Sequence, residues 1–441
     1  MFGTSGIRGP VGEVVTADLV LSVGRALGSG VDRVVVGRDP RESGDLLVDA
    51  LAAGLRETGT DVLDLGVAAT PTVARAVGWE DCDAGVAVTA SHNPPPDNGI
   101  KLWQPSGQAF DAPRCERITE RVEREDWRLD PWDGIGSRES VDATERHVRA
   151  LVDAVDFGDR DPPHVVVDVG NGAGGVTVEA LSRLGCRAET LNATPDGRFP
   201  GRPSEPTAEN CTSLAALVGD SAAALGVAHD GDADRMRGVA ADGTFLSGDV
   251  LLAVLAAAST SAGDRVAVPV DTSLAVEDFL ADRGVETART PVGDVHVAAE
   301  VAAGAAFGGE PSGAWIWPDE TLCPDGPLAA VRLAELATVR PLGERAADVP
   351  TYPIHRESLR TADKRAVMDR VHEAVAGRYE DVSTMDGVRV DAGEGWFLLR
   401  ASGTQPLVRV TAEARDTDRA EELFGTARSL AVDAGAEAAE E

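Results

Sequence analysis

Two short stretches carry residue types that could do chemistry together. Residues 86–103, VAVTASHNPPPDNGIKLW, run an apolar strand into Ser91-His92-Asn93, meet a proline turn, and leave through Lys101. Residues 228–238, AHDGDADRMRG, follow the apolar segment AAALGV and set out Asp230, Asp232 and Asp234 in alternation, with Arg235 next. If that loop is extended, the alternation points its carboxylates to one side. Such a group repels itself unless a hard cation neutralises it, and oxygen ligands suit Mg²⁺. An EF-hand is excluded: its sixth position should be Gly and its twelfth Glu, where this chain has Arg235 and Ala241.

The Ser91-His92 pair has no G-x-S-x-G elbow around it, which disfavours acyl transfer. A phosphate on Ser91 would add nearly two negative charges, and the aspartates with a divalent cation would balance them. Pro94, Pro95 and Pro96 would then hold the phosphoryl group with little entropy left to lose. That serves phosphoryl transfer, where catalysis is mainly positioning and charge stabilisation.

Three more loops offer polar groups. FGGEPSGAWIW, residues 307–317, sets Glu310 and Ser312 on a Gly-flanked turn after a strand, where open α/β sheets bind ligands. An ordinary β-turn has the same composition. RASGTQPLVRV, residues 400–410, gathers Arg400, Ser402, Gly403, Thr404 and Arg409 into a candidate anion cradle, with a plain structural turn as the alternative. GTSGIRG, residues 3–9, offers Arg8 among flexible glycines.

The elements that must position these loops recur. Asp32–Gly66, His164–Asn192 and Asp264–Gly293 each read as a β-branched strand, an Asp-bearing loop, a helix ending near Gly59, Gly185 or Gly284, and a second strand. That is a βαβ unit, implying three similar α/β sheet domains. From Thr351 the pattern changes to a strand (TYPIHRESL), a helix (DKRAVMDRVHEAVAG), two strand-like segments in WFLLRASGTQPLVRVTAEA and a last helix, an α+β domain ending in the solvated acidic run AGAEAAEE. The divisions fall at 1–150, 151–250, 251–347 and 348–441.

The second repeat also holds Gly170-Asn171-Gly172-Ala173-Gly174-Gly175, a G-x-G-x-x-G between strand and helix, with Glu189 downstream. On paper this is a dinucleotide fingerprint and suggests an NAD-dependent dehydrogenase. Asp168 just before it would crowd a pyrophosphate with like charge, and the other repeats lack the glycines. A tight turn is the plainer reading.

The charge is lopsided: 74 acidic residues against 41 basic, net −33, with Lys101 and Lys364 as the only lysines. A hydrophobic share of 43% excludes a disordered chain. A carboxylate coat suits a halophilic cytoplasm, since at molar salt the Debye length is about 3 Å and self-repulsion is screened. Nucleic acid and anionic membranes are poor partners for it. No apolar run reaches the roughly 18 residues of a membrane span, and MFGTSGIRGP does not read as a signal peptide. The five cysteines are scattered without CxxC pairing, as expected of buried, reduced thiols.

Taken in order, GTSGIRG, TASHNP, NGIK, DGDADR, GEPSG and RASGTQP span essentially the whole chain and resemble the α-D-phosphohexomutase family: phosphoglucomutases, phosphomannomutases and phosphoglucosamine mutases. The resemblance implies four domains in a heart shape around a central cleft, the last TATA-binding-protein-like. It implies a phosphorylated Ser91, flanked by His92, with Mg²⁺ held by Asp230, Asp232, Asp234 and the phosphoserine. Arg8 and Arg235 would line the transfer centre, and Lys101 matches the family's proposed general acid/base. Glu310 and Ser312 would hold sugar hydroxyls, while Arg400, Ser402, Gly403 and Thr404 would hold the distal phosphate.

The implied reaction moves phosphate between O6 and O1 of a hexose through a 1,6-bisphosphate that turns around in the site. Lys101, at an ordinary pKa of about 10.4, is a poor base near neutrality, so closure and nearby arginine are expected to lower it. Gln405 stands where the family's phosphate loop commonly has Glu, and His296 in TPVGDVHV is a further polar candidate. GGEPSGAWIWPD followed by CPDGP is most similar to archaeal phosphoglucosamine mutases. Glucose and mannose phosphates are alternatives within the same mechanism; a dehydrogenase and a noncatalytic sugar-phosphate binder are alternatives outside it. Oligomeric state is not legible.

Overall fold

The computed structural model describes residues 1–402 and 406–438, arranged as four sheets with helices packed around them. In the first repeat the strand Arg33–Arg38 leads to the helix Gly44–Glu57 and the strand Asp61–Val67. The helix forms because Leu47, Val48, Leu51, Ala52 and Leu55 recur at three- and four-residue steps and bury one face. The other repeats give His164–Asp168, Gly175–Arg183 and Arg187–Leu191, then Arg265–Pro269, Leu274–Ala281 and Glu286–Thr290. Just past each helix a glycine turns the chain in the left-handed region: Gly59 (φ 85°), Gly185 (82°) and Gly284 (72°).

One strand order recurs in the first three sheets. The second strand of each βαβ unit pairs in parallel with the first, the first with a third, and the third with an antiparallel fourth. The third strands are Ala84–Val88, Leu225–His229 and Phe307–Gly309. Ser91, Asp230 and Glu310 each lie just beyond the carboxyl end of one of them. Thus one topological position, used three times, supplies the polar loops where such sheets bind ligands. The first sheet is extended by Ile7–Pro10 on one side and Arg138–Ser140 on the other.

The second and third sheets share one continuous apolar core, whereas the first and fourth have their own. The helix Thr144–Asp153 runs across the expected 150/151 division and buries Val148 and Leu151 in the second sheet's core. Three elements meet in a buried polar knot. Arg75, on the helix Thr70–Trp79, donates from Nε to Asp325 Oδ2 (2.8 Å). Asp325 caps the helix Gly326–Val339, and His147 Nε2 lies 3.4 Å from the same Oδ2.

The fourth sheet is wholly antiparallel, in the order Asp381–Ser383, Val388–Asp391, Gly395–Ala401, Leu407–Ala414, Ile354–Arg360, Glu437–Ala438. Three of these strands were not read from the sequence, although Asp386-Gly387 between Asp381–Ser383 and Val388–Asp391 is a hairpin signal, with Gly387 at φ 85°. The expectation of a solvated acidic run is corrected over residues 434–438, while 439–441 lie outside the described residues. Ala434 and Ala436 are buried because these small side chains fit into the fourth sheet's apolar core, and Glu437–Ala438 pairs with Ile354–Arg360. Glu413 ties this sheet to the start of the helix Leu274–Ala281, accepting from Ser273 Oγ (2.5 Å) and Leu274 N–H (2.8 Å), and accepts from Trp396 Nε1 (2.8 Å) on the neighbouring strand. All five cysteines are free. No helix among the described residues is long and apolar enough to cross a membrane.

Candidate active site

Ser91 is 1% exposed and stands at φ 50°, a left-handed conformation that is uncommon for a residue with a Cβ. Thr89 Oγ1 accepts its N–H (2.8 Å) and donates to Asp39 Oδ2 (2.7 Å). Arg41 Nε donates to the same Asp39 oxygen (2.9 Å). Its Nη1 donates to the carbonyls of Pro94 (2.7 Å) and Asp97 (2.9 Å), and its Nη2 to those of Ser91 (2.9 Å) and Asn93 (2.7 Å). One guanidinium therefore organises the whole serine loop. Sequence reasoning missed it; the signal was Asp39 and Arg41 at the exit of an apolar strand.

Ser91 Oγ donates to Asp230 Oδ2 (2.6 Å) and lies 3.2 Å from His92 Nδ1. Burial, with Arg235, Arg8 and Arg41 nearby, holds the His92 imidazole far below its ordinary pKa, so it is neutral.

The three aspartates converge, but not because their loop is extended. The chain turns after Leu225–His229, with Ala233 at φ 56°, and curls the buried carboxylates until one oxygen of each lies within 4.8 Å of the others. Asp232 Oδ2 accepts from Thr70 Oγ1 (2.6 Å), and Asp230 Oδ1 accepts from Arg235 N–H (3.2 Å). Asp232 Oδ1 and Asp234 Oδ1 are buried without a hydrogen-bond partner. Burial and the neighbouring Asp232 push Asp230 up to about 7, and the same causes raise Asp234 well above its ordinary value. Orphaned, mutually repelling carboxylate oxygens are the donor set a hard divalent cation takes.

A cavity of about 520 Å³ opens beside this loop, lined by Arg8, Asp234, Arg235, Glu310, Ser312 and Arg400 among others. Lys101 and His296 also line it; Ser91, Asp230 and Asp232 do not. Arg8 reaches it from Ile7–Pro10, which pairs with Asp97–Trp103, and its buried Nε has no hydrogen-bond partner.

Lys101, 4% exposed, packs its ammonium 4.6 Å from the Trp103 ring centre and donates to Asp294 Oδ2 at 2.5 Å. Burial alone would lower its pKa, but Asp294 and Asp234 outweigh burial and hold it above the ordinary value. The expected lowering by nearby arginine is thus corrected, because acidic partners dominate. Asp294 shows the converse: burial would raise it, and Lys101 then Arg8 hold it low. It was missed in TPVGDVHV, where the imidazole drew attention instead.

Glu310 Oε1 accepts from Gly293 N–H (2.8 Å) and its Oε2 from Ser312 Oγ (3.4 Å); burial and Asp294 push its carboxyl up to about 7. Arg400, on Gly395–Ala401, donates to Asp386 Oδ2 (3.2 Å) and lies 4.0 Å from Asp271 Oδ2. Arg409 faces Arg400 in the ladder but is exposed and outside the cavity lining. Ser402 is buried, and its carbonyl accepts from Lys364 Nζ (2.5 Å). Gly403, Thr404 and Gln405 lie outside the described residues.

The dinucleotide reading fails on geometry. The N–H groups of Gly170, Asn171, Gly172 and Ala173 are taken by Asp168, Asn192, Val169 and Gly231, leaving none of the four for a pyrophosphate. Asp168 is held by Arg202 Nε (2.6 Å), and Glu189 lies 3.2 Å from His164 Nε2. A Cβ on Gly172 would come within 2.6 Å of the Gly231 carbonyl, so this glycine serves close packing against the aspartate loop.

The chain matches four family models described as Phosphoglucomutase/phosphomannomutase: alpha/beta/alpha domain I over residues 1–129, domain II over 145–243, domain III over 247–352, and the C-terminal domain over 328–428. A curated relative from Methanopyrus kandleri, named "Probable phosphoglucosamine mutase", is 46% identical over 435 residues, covering 96% of this chain and 95% of its own. One of the same name from Thermococcus kodakarensis is 39% identical over 450 residues, covering 99% of each. A solved Phosphoglucomutase/phosphomannomutase family protein from Burkholderia thailandensis superposes with a TM-score of 0.87 at 30% identity, covering 99% of this chain and 100% of its own. The N-acetylphosphoglucosamine mutase of Aspergillus fumigatus, solved with GlcNAc-6P and magnesium, shares the fold at a TM-score of 0.61 and 16% identity, covering 98% and 96%.

Proposed function

Since the chain belongs to the phosphoglucomutase/phosphomannomutase family, we propose that it interconverts glucosamine 6-phosphate and glucosamine 1-phosphate, using Ser91 as the residue that gives and takes back the phosphoryl group. The observation that carries this is Ser91 Oγ held 2.6 Å from Asp230 at the edge of an aspartate cluster with two orphaned oxygens. The relatives' names support the choice of sugar.

Asp230, Asp232 and Asp234 would hold Mg²⁺, together with a phosphate oxygen on Ser91. Bound there, the cation neutralises charge that builds on the transferring group. The chain's own residues do the rest. Arg8 and Arg235 face the cavity and offer guanidinium donors to the moving phosphoryl oxygens. Glu310 and Ser312 hold sugar hydroxyls. Arg400 grips the phosphate that is not reacting, the role that the resemblance also gives to Ser402, Gly403 and Thr404. Lys101, kept as an ammonium by Asp294, gives its proton to the sugar oxygen as the bond from that oxygen to phosphorus breaks. Ser91 Oγ takes the phosphoryl group in that step, and the serine hydrogen passes to Asp230. In the opposite half the attacking sugar hydroxyl returns a proton to the amine as the bond from phosphorus to Ser91 Oγ breaks and Oγ regains its hydrogen. A chain of net charge −33 repels a sugar phosphate at long range. Capture therefore rests on contact with these arginines, and more so as salt screens the distant field.

The test is intact-protein mass beside a mutase assay with glucosamine, glucose and mannose phosphates. The parent should show a population heavier by one phosphate, Ser91→Ala should lack it and lose turnover, and glucosamine phosphate should be the preferred substrate. Full turnover by Ser91→Ala would overturn the reading.

A further inference from the structure

The serine loop and the aspartate loop belong to different sheets, yet phosphoryl transfer needs them in fixed register. Several contacts tie them or their neighbourhoods, among them the Thr70 N–H donated to the Asp232 carbonyl (2.8 Å). Two engage the reacting side chains: Ser91 Oγ on Asp230, and Thr70 Oγ1 on Asp232. The Ser91–Asp230 bond uses the hydroxyl hydrogen, which is gone whenever Ser91 Oγ is esterified. That tie is broken in half of the proposed cycle.

The Thr70 bonds do not reach the serine loop itself, but a bridge through Ser204 does, and it does not depend on Oγ of Ser91. Ser204, 3% exposed, donates from its Oγ to the Ser91 carbonyl (2.8 Å) and accepts from the Gly231 N–H (3.0 Å), next to Asp230. Only a group that is donor and acceptor at once can join a carbonyl to an amide in this way. The backbones lie so close that a Cβ on Gly231 would come within 2.8 Å of the Ser91 carbonyl oxygen. Ser204 is itself held in place. Arg202, bound to Asp168, donates to the carbonyls of Pro203 (3.0 Å), Ser204 (3.2 Å) and His229 (2.6 Å). On the far side Arg41 holds the same Ser91 carbonyl.

We propose that Ser204 is a positioning residue that keeps the serine and aspartate loops in register whether or not Ser91 carries phosphate. The inference rests on the phosphoserine reading above. Ser204 touches neither substrate nor reacting atoms; it acts through the two backbones. Removing its hydroxyl lets the loops slip, which misplaces the phosphorylated side chain against its cation site.

The experiment compares parent, Ser204→Ala and Ser204→Thr for kcat, KM, thermal midpoint, and Mn²⁺ affinity by electron paramagnetic resonance without substrate. A misplacement near 1 Å costs up to about a hundredfold in rate. Ser204→Ala is therefore expected to lose roughly tenfold to a hundredfold in kcat, with KM within about twofold because Arg400, Glu310 and Ser312 are untouched. Mn²⁺ should bind several-fold more weakly to the phosphorylated enzyme, and Ser204→Thr, which keeps the hydroxyl, should recover most of both losses. Parental kcat and Mn²⁺ affinity in a folded Ser204→Ala would overturn the proposal. So would losses that only track the unfolded fraction. An active Ser91→Ala control would show instead that the phosphoserine reading itself has failed.

Discussion

Lys101 Nζ lies 2.5 Å from Asp294 Oδ2, a buried ion pair that joins the antiparallel strand Asp97–Trp103 of the first sheet to the helix Asp294–Ala302 of the third domain. The pair closes one wall of the cavity and decides the charge state of the one lysine that faces it.

Breaking the pair from the acidic side should show in two ways. Asp294→Asn leaves the Lys101 ammonium buried without its main partner, a change worth roughly 3–5 kcal/mol for such pairs. With Asp294 gone the Lys101 pKa falls, so the alkaline limb of the kcat profile should move to lower pH. Lys101 stabilises the parent fully below about pH 10.4 and loses that contribution as pH rises through its raised folded value. An unmoved alkaline limb would remove Lys101 from the proton transfer. Lys101→Arg should lose most turnover, since the site at Trp103 is packed around an ammonium.

The aspartate cluster predicts a pH-dependent response to metal. Without a divalent cation, Asp230 binds its proton more tightly when folded than unfolded, so stability should fall as pH rises from about 4 to about 7. Mg²⁺ competes with protons for the same oxygens. It should therefore raise the thermal midpoint more at about pH 8 than at about pH 5. Equal shifts at both would mean the cation binds elsewhere.

Arg400→Ala should raise KM for the sugar phosphate at least tenfold, the scale of one charge-assisted contact of about 1.5–3 kcal/mol, while Ser91 stays phosphorylated by mass. Unchanged KM would mean that Arg400, already paired with Asp386, is not the phosphate grip.

Asp325→Asn tests the knot that ties three domains. Burial would raise this carboxyl, but Arg75 and His147 hold it far below its ordinary range. Neutralising it leaves the buried Arg75 guanidinium with only its longer contact to Glu320 (3.4 Å) and should cost up to roughly 3–5 kcal/mol, read as a fall in the thermal midpoint with KM little changed.

The acidic coat predicts that raising KCl from about 0.1 M to about 2 M raises the midpoint, because screening relieves self-repulsion within the folded chain. A midpoint that falls with salt would contradict the halophilic reading.

The sequence made local chemistry legible and distant partners illegible. The βαβ repeats and the loops holding Ser91, Asp230 and Glu310 stand out because strand periodicity, turn glycines and clustered polar residues are local signals. Asp294 does not, since nothing near it in the chain hints that folding carries it across to Lys101. Ser204 is hidden because its partners are main-chain atoms, which every residue has, and so are the four carbonyls that Arg41 holds beyond its neighbour Asp39. The aspartate spacing pointed to a shared face, but the loop reaches it by a turn at Ala233 that no alternation encodes. The glycines of the second repeat show the reverse hazard, a motif whose residues are all present and whose first four amides are already taken.

The backbone at Ser91 has a consequence for which amino acids this position admits. Threonine carries an equivalent hydroxyl and serves as a phosphate acceptor elsewhere in chemistry. At φ 50°, however, a β-branched side chain crowds its own main chain, and the surrounding loop is bolted down by Arg41 and cannot relax. The nucleophile's identity is thus narrowed by stereochemistry before reactivity is considered, and a Ser91→Thr enzyme should fail through conformation despite keeping its oxygen.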